Sequence, residues 1–394
     1  MTADSRIWFG SYFFLDKTNC NTYNYKYKIE IVTIINYSII YISVQILVLE
    51  AYLMRNYREG MTERKRYMDR ITGYIGTYLS PESLGVYRFT VNPENGQLTE
   101  PELFLEAPDA KYVSLKRGWM AAPVMRDGAA GVCLAQIAEG KVKRELEICN
   151  EQKTPCFVVQ DGNFLFTANY HEGNVMVYGT EGGELSLIKR IEIAPKAGCH
   201  QVLLHSHYLL VPSLALDSIR IFDRDRDFAP AGSIQFPKGS GPRHGIFTAD
   251  HRRLFVVSEL SNEVYSFAVK GETGFELEQT VRILPDGAVY ETEPSTAAVR
   301  LSPDESRLYV STRGAELLTV YGLEDGRLTH LQQTESKGRH PRDFTLTPDG
   351  RYLLVVNRYE GGLVSLALNE SDGTIGEICS RVPAPEGVSV VLDV

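Results

Sequence analysis

A basic excess is missing from this chain: 41 Lys and Arg face 50 Asp and Glu over 394 residues, a formal net charge of −9. Nucleic-acid binders draw their affinity from cations that neutralise phosphates, so no nucleic-acid partner is expected, and any anionic ligand must meet a local cluster of cations. Cysteine is scarce and scattered. The six residues (Cys20, Cys133, Cys149, Cys156, Cys199, Cys379) form no Cys-x-x-Cys pair and no His-x-x-x-His accompanies them. Zinc-ribbon and disulfide-framework readings therefore fail, and a reducing cytoplasm fits best. The sequence also lacks a Gly-x-Ser-x-Gly elbow, a His-Glu-x-x-His helix and a Gly-x-x-x-x-Gly-Lys loop, which leaves covalent serine catalysis and nucleotide hydrolysis without support. No amphipathic helical pattern persists between Ile71 and Val394.

Proline is absent from residues 1–60 and glycine nearly so, with 2 of the 33, yet this stretch holds 8 of the 22 tyrosines. Ile29 to Met54 is mostly apolar and long enough to span a membrane as a helix, but Glu30, Asn36, Ser38, Ser43, Gln45 and Glu50 interrupt it and no basic cluster precedes it. A second account is that Ile, Asn, Lys, Tyr and Phe are what A/T-rich DNA encodes, so the stretch is translated upstream sequence and Met61 or Met68 is the working initiator. Residues 1–60 are thus an atypical extension, mis-assigned at its start or membrane-associated, and 68–394 are the domain proper.

That domain is repetitive. Cys156 to Tyr178, His200 to Phe222, His244 to Phe267, Ala298 to Tyr321 and Asp343 to Leu366 each read strand, turn, strand, turn, strand, and their last residues are 44, 45, 54 and 45 positions apart. A period of this size suits a propeller blade. Short apolar runs bounded by Asp-Gly, Pro-Asp and Asn-Gly turns are strands, so the fold is all-β. Residues 68–394 divide into seven units of about 47, which predicts a seven-bladed β-propeller of four-stranded antiparallel blades. The first segment lacks a leading strand and the last supplies one, so the C-terminal strand is expected to join the N-terminal blade and close the ring. The second blade is expected to be degraded, because Lys111 to Met125 has no Pro-Asp-Gly turn.

Aligned repeats give two variable columns, one before the first strand and one after the second. The first reads Pro155-Cys156, Cys199-His200, Arg243-His244, Ala297-Ala298 and Arg342-Asp343; the second reads Tyr170, Leu214, Glu259, Arg313 and Arg358. Repeats usually carry similar residues at equivalent positions, so columns that switch from apolar to His, Glu or Arg mark a site grafted onto a scaffold. The plain alternative is that strand ends are solvated. Five charged residues recurring at two structural positions favour a common funnel. His205, His207 and His251 fall in interior turns and are expected to face solvent.

Tyr74-Ile75-Gly76-Thr77-Tyr78, Gly241-Pro242-Arg243-His244, the following Ser258-Glu259-Leu260, Thr312-Arg313-Gly314 and His340-Pro341-Arg342-Asp343-Phe344 with Thr347 to Asn357 together resemble the seven-bladed propeller lactonase family, over Ile71 to Val394. That family includes bacterial 6-phosphogluconolactonases and resembles fungal carboxy-muconate lactonizing enzymes. The resemblance implies hydrolysis of a sugar-acid lactone in carbohydrate metabolism, most directly 6-phosphogluconolactone in the pentose phosphate pathway. The fungal enzymes' His, two Arg and Glu map onto His200, Arg243, Glu259 and Arg313. Gly198 stands where the family has the first His of His-x-His, and Ser213-Leu214-Ala215 where it often has Asp-Leu-Gly.

Lactone hydrolysis needs a base, donors for an oxyanion and groups that orient the ring. His200 is expected to be the general base, with Glu259 either orienting an arginine or taking the proton itself, and Arg243 and Arg313 are expected to hold the lactone carbonyl, a ring carboxylate or the 6-phosphate. His340, Arg342 and Arg358 are candidates for a phosphate subsite, and His244 for a structural partner or second base. No metal and no cofactor is implied, because the columns hold few carboxylates. The expected partner is a small sugar-phosphate lactone, with no membrane contact for the propeller and no oligomeric state assigned. Two alternatives stand beside this: an enzyme for another lactone, such as a muconate type, and a non-catalytic propeller that binds proteins on its rim.

Overall fold

The strand Arg253–Ser258 shows why these apolar runs do not alternate with polar residues. Successive side chains point to opposite faces. Leu254 and Val256 pack into one cluster with Leu210, Ile219 and Ile221 of the preceding repeat, while Phe255 and Val257 pack into another with Val299, Leu308 and Val310 of the following one. Both faces are buried, so every residue of the run is apolar. The same logic repeats around the ring, and the buried hydrophobics form seven clusters, each shared by two neighbouring sheets.

The architecture, described for residues 70–394 of a computed structural model, is a seven-bladed propeller of four-stranded antiparallel sheets. The extension 1–60 lies outside the described residues. Blades 2 to 7 run in chain order over 114–151, 157–192, 203–235, 242–282, 295–335 and 339–382, with the first strand of each innermost. Among the described residues the only helical turns are three short 3-10 segments, and no helix is long and apolar enough to cross a membrane.

Blade 1 takes its innermost strand from the other end of the chain. Gly387–Leu392 pairs antiparallel with Ile71–Thr77, with Ile75 opposite Val390 and Gly73 opposite Leu392. Val390 and Leu392 fill the cluster between blades 7 and 1, and Val391 packs on the one between blades 1 and 2. Asp343 of blade 7 fastens this strand from the side. Its Oδ2 accepts from Val390 N at 3.3 Å and its Oδ1 from Arg300 Nη2 at 2.7 Å, so one buried carboxylate ties blades 6, 7 and 1. Elsewhere glutamine amides join neighbouring blades in pairs of bonds: Gln201 with Gly245 across blades 4 and 5, Gln279 with Leu328 across 5 and 6, and Gln332 with Ile375 across 6 and 7.

Two expectations need correction. Blade 2 is a full four-stranded sheet, because its tight turn is made by Arg117 and Gly118, both at positive φ (52° and 76°), rather than by Pro-Asp-Gly. Two such residues form the turn that matches strand twist. His205 is buried, not solvated: its ring stacks on Phe247 with centroids 5.0 Å apart, and its Nδ1 lies 3.1 Å from Nδ1 of His251. His207 is half-buried, and His251 is exposed as expected.

Deleting residues 388–394 removes three buried apolar side chains, worth about 5–9 kcal/mol in burial alone, against a whole-domain stability of similar size. The truncated chain is expected to lose its cooperative thermal transition. A truncated protein that melts like the full chain would contradict this closure.

Candidate active site

Each innermost strand begins, and each second strand ends, at the same face of the propeller. Both variable columns therefore lie on one ring of positions. Four innermost strands also break register at this point: between Gly387 and Ser389 in blade 1, between Pro242 and His244, between Thr296 and Val299, and between Pro341 and Asp343. Such bulges leave a residue out of the ladder and re-aim its side chain. Arg243, the Ala297-Ala298 pair and Arg342 are among the residues skipped, with Val388 and His340. Pro242 and Pro341 lack an N–H and suit these positions, while Gly241 at φ +66° admits no side chain, since a Cβ there would lie 2.8 Å from Leu260.

The skipped Arg243 is the most deeply buried charged residue of the ring, 1% exposed. Its Nη1 donates to Ala297 O, so the apolar column member of blade 6 contributes a carbonyl and leaves room for the guanidinium. Its Nε donates to Glu259 Oε2 at 2.7 Å. Arg313 Nη2 stands 3.1 Å from the same oxygen, a charge contact outside hydrogen-bond geometry, while its Nε donates to Ser295 O at 3.2 Å. Burial pushes Arg243 down to about 9, with Arg313 adding to it and Glu259 opposing, so it stays cationic at neutral pH. Burial alone would raise the Glu259 carboxyl, but Arg243, Arg313 and Arg342 together hold it below its ordinary range. Glu259 is an anion gripped through one oxygen. Its Oε1 accepts no hydrogen bond from the described residues.

Beside this triad His200 and His244 form a pair, with Nδ1 of the first 3.1 Å from Nε2 of the second. Tyr170 meets His200 edge-on at 5.9 Å. Burial and the neighbouring arginines hold both imidazoles well below their ordinary value, so both are neutral at pH 7. His244 Nδ1 has no partner. A buried N–H without an acceptor is the costlier of the two orphans, which favours His244 Nε2–H donating to His200 Nδ1. His200 then carries its proton on Nε2. Gly198, the departure from His-x-His, sits at φ +72° with Leu214 directly against it, so the substitution is conformational.

His200, Arg243, Glu259, Arg313 and His244 are thus brought together. Arg342 acts electrostatically on His200, Arg243 and Glu259, yet it makes no hydrogen bond or ion pair among the described residues. Arg358 turns away from the triad to Glu386, at 2.7 Å, and His340 packs against Tyr359 with its Nε2 unpartnered. Two residues outside the predicted set stand beside them. Tyr78 lies under both Arg342 and Arg358, and Lys111 also reaches its ring. Both were accessible to the repeat argument. Tyr78 directly follows the second strand of blade 1, as Glu259 does in blade 5, but a longer loop hides the spacing. Lys111 lies five residues before the hairpin residue Lys116, as Cys156 lies five before Asp161, and the unexpected turn hides that equivalence. An open cleft of about 760 Å³ runs from Arg358 and Tyr359 to Ser80 and Glu82, between blades 7 and 1.

Comparison with known proteins agrees with this architecture. Residues 72–392 match the family model described as "Lactonase, 7-bladed beta-propeller". The 6-phosphogluconolactonase of Bacillus subtilis is 30% identical over 347 residues, covering 82% of this chain and 98% of that protein. A solved structure of a Lactobacillus plantarum protein superposes with a TM-score of 0.77 at 26% identity, over 82% of this chain and all of its own. The periplasmic gluconolactonase of Pseudomonas aeruginosa shares the fold at 22% identity and a TM-score of 0.75, over 82% of this chain and 99% of its own.

Two stability measurements follow from the electrostatics. Glu259→Gln leaves two buried guanidinium groups without their anion and is expected to cost about 3–5 kcal/mol, read as a lower urea midpoint. For the histidines, the unfolded chain binds protons below pH ~6.5 that the native pair refuses, so stability falls as pH drops from there, by up to about 1.4 kcal/mol per pH unit per ring. Replacing His200 and His244 together by Asn should flatten that slope; an unchanged slope would show the pair is not held neutral.

Proposed function

The chain belongs to the seven-bladed β-propeller lactonase family, and we propose that it hydrolyses a sugar-acid lactone with protein side chains alone, most directly 6-phospho-D-glucono-1,5-lactone to 6-phosphogluconate in the cytoplasm. The observation that carries this reading is the Glu259 carboxylate, anchored on Oε2 by Arg243 and open on Oε1. Of the two candidate bases it is the one with free lone pairs. His200 has Nδ1 engaged by His244 and a proton on Nε2, which makes it a donor.

In this mechanism a water on Glu259 Oε1 attacks the lactone carbonyl carbon and gives its proton to the carboxylate. The carbonyl oxygen becomes an oxyanion, stabilised by the guanidinium of Arg313 and by His200 Nε2–H; fixed donors of this kind need no reorganisation as charge develops. Collapse of the tetrahedral intermediate breaks the ring C–O bond, and the proton held by Glu259 passes to the departing ring oxygen. Arg243, buried beneath the carboxylate, is a positioning residue that fixes Glu259 and keeps it ionised. The substrate's phosphate lies toward Arg342, Arg358 and His340, beyond the triad.

Hydrolysis of 6-phosphogluconolactone by the purified chain should exceed the spontaneous background, and Glu259→Gln should lower kcat by roughly 10²- to 10⁴-fold. Arg243→Ala should lose activity comparably. No rate above background from folded protein would overturn the reading. On the unphosphorylated lactone, which has no group titrating in this range, a carboxylate base held below its ordinary pKa predicts kcat/KM flat from pH 8 down to about 5.5; a limb near pH 6.5 would contradict it, and would equally contradict a histidine pair held neutral by burial.

A further inference from the structure

Three cations from three parts of the chain gather on a single aromatic ring. Arg358 lies 4.3 Å, Arg342 5.4 Å and Lys111 5.5 Å from the centroid of Tyr78. Each interaction is individually modest, and like charges held this close repel. Lys111 is shielded from water, its side chain 12% exposed, and is paired with Asp109 at 3.1 Å; Arg358 is paired with Glu386; Arg342 has no such partner.

The imbalance extends inward. Lys111, Arg243 and Arg342 all act electrostatically on the buried Cys156 thiol. Counting Arg313 and Arg358 with them gives five cations. The carboxylates within ion-pair distance are Asp109, Glu259 and Glu386, so two positive charges are left over. The field is felt at His340, which burial and the nearby arginines push down to about 3. A chain of net charge −9 has concentrated unneutralised cations at one spot.

We propose that Tyr78 is the platform of a cation cradle, completed by Lys111, Arg342 and Arg358, that holds a phosphate group and so sets the enzyme's preference for phosphorylated over unphosphorylated lactone. The inference rests on the lactone reading above and adds Tyr78 and Lys111 to it as specificity-determining residues. Of the two excess charges one lies in the cradle, on Arg342, and the other at the Arg243–Glu259–Arg313 triad, so each end of the site is left cationic and the cradle end offers its free charge to an anionic group remote from the lactone carbonyl. Arg342 supplies the guanidinium fork that is otherwise unbonded, Lys111 a point charge, and the ring holds their side chains apart and in place. Tyr78 is a positioning residue.

The test uses equilibrium binding of 6-phosphogluconate and gluconate to the full chain, measured by calorimetry, so that it does not depend on turnover. The phosphorylated acid should bind at least tenfold more tightly. Arg342→Gln and Lys111→Gln should each cut that ratio at least fivefold, Tyr78→Leu should lower it, and Tyr78→Phe should restore it. If Tyr78→Leu does not fold, the two cation variants decide. Equal binding of the two acids, or variants that weaken both acids alike, would overturn the cradle. Lactone turnover without selectivity removes the cradle and leaves the hydrolase, whereas selectivity without turnover keeps the cradle and removes the hydrolase.

Discussion

A blade of this propeller has no interior of its own. Its middle strands are apolar on both faces, and the only cover for those faces is the blade on either side, so seven sheets of marginal individual stability become one protein only when the ring is complete. The strand Gly387–Leu392 therefore carries more than its own six residues. Without it the clusters on both sides of blade 1 open, and the edge of Ile71–Thr77 is left unpaired. Asp343 reinforces the same seam, taking a backbone donor from the closing strand and a guanidinium from blade 6.

Closure also creates the site. Bringing seven innermost strands around one axis sets their starts side by side, and bulges at Arg243 and Arg342 turn long charged side chains out of the ladder at that ring of positions. No single blade could hold Glu259 as it is held. Arg243 comes from the same blade, but the carbonyl that fixes Arg243 belongs to Ala297 in blade 6, as does the second guanidinium, Arg313. Desolvation opposes every charge in this group, and only their mutual neutralisation keeps the carboxylate ionised. The histidine pair solves the same problem differently, by remaining neutral.

The fold was legible because repetition multiplies weak signals: an apolar run or a Pro-Asp-Gly turn means little once, and a great deal at a period near 45. The missing leading strand of blade 1 could be read for the same reason, as a gap in a pattern. Residues that converge at the candidate site were legible where the repeat spacing was regular, as at Glu259 and Arg313, and lost where it was not. Tyr78 and Lys111 occupy equivalent positions, but one is displaced by a long loop and the other by an Arg117-Gly118 turn that does the work of Asp-Gly. His205 was misjudged because a polar residue near a turn suggests solvent; nothing local announces that Phe247 and His251 of the next blade cover it. Burial depth was likewise invisible, and it separates Arg243, which holds the carboxylate from beneath, from Arg342, which is left free to meet an anion.

The central claim is that the Glu259 triad and the Tyr78 cluster are the two ends of one substrate site. A crystal structure of the chain with 6-phosphogluconate bound tests it most directly. The account predicts the acid's C1 carboxylate against Arg313 beside Glu259, and its phosphate among Lys111, Arg342 and Arg358. Product seated in the cleft between blades 7 and 1, away from Glu259, or on the opposite face of the propeller, would contradict it.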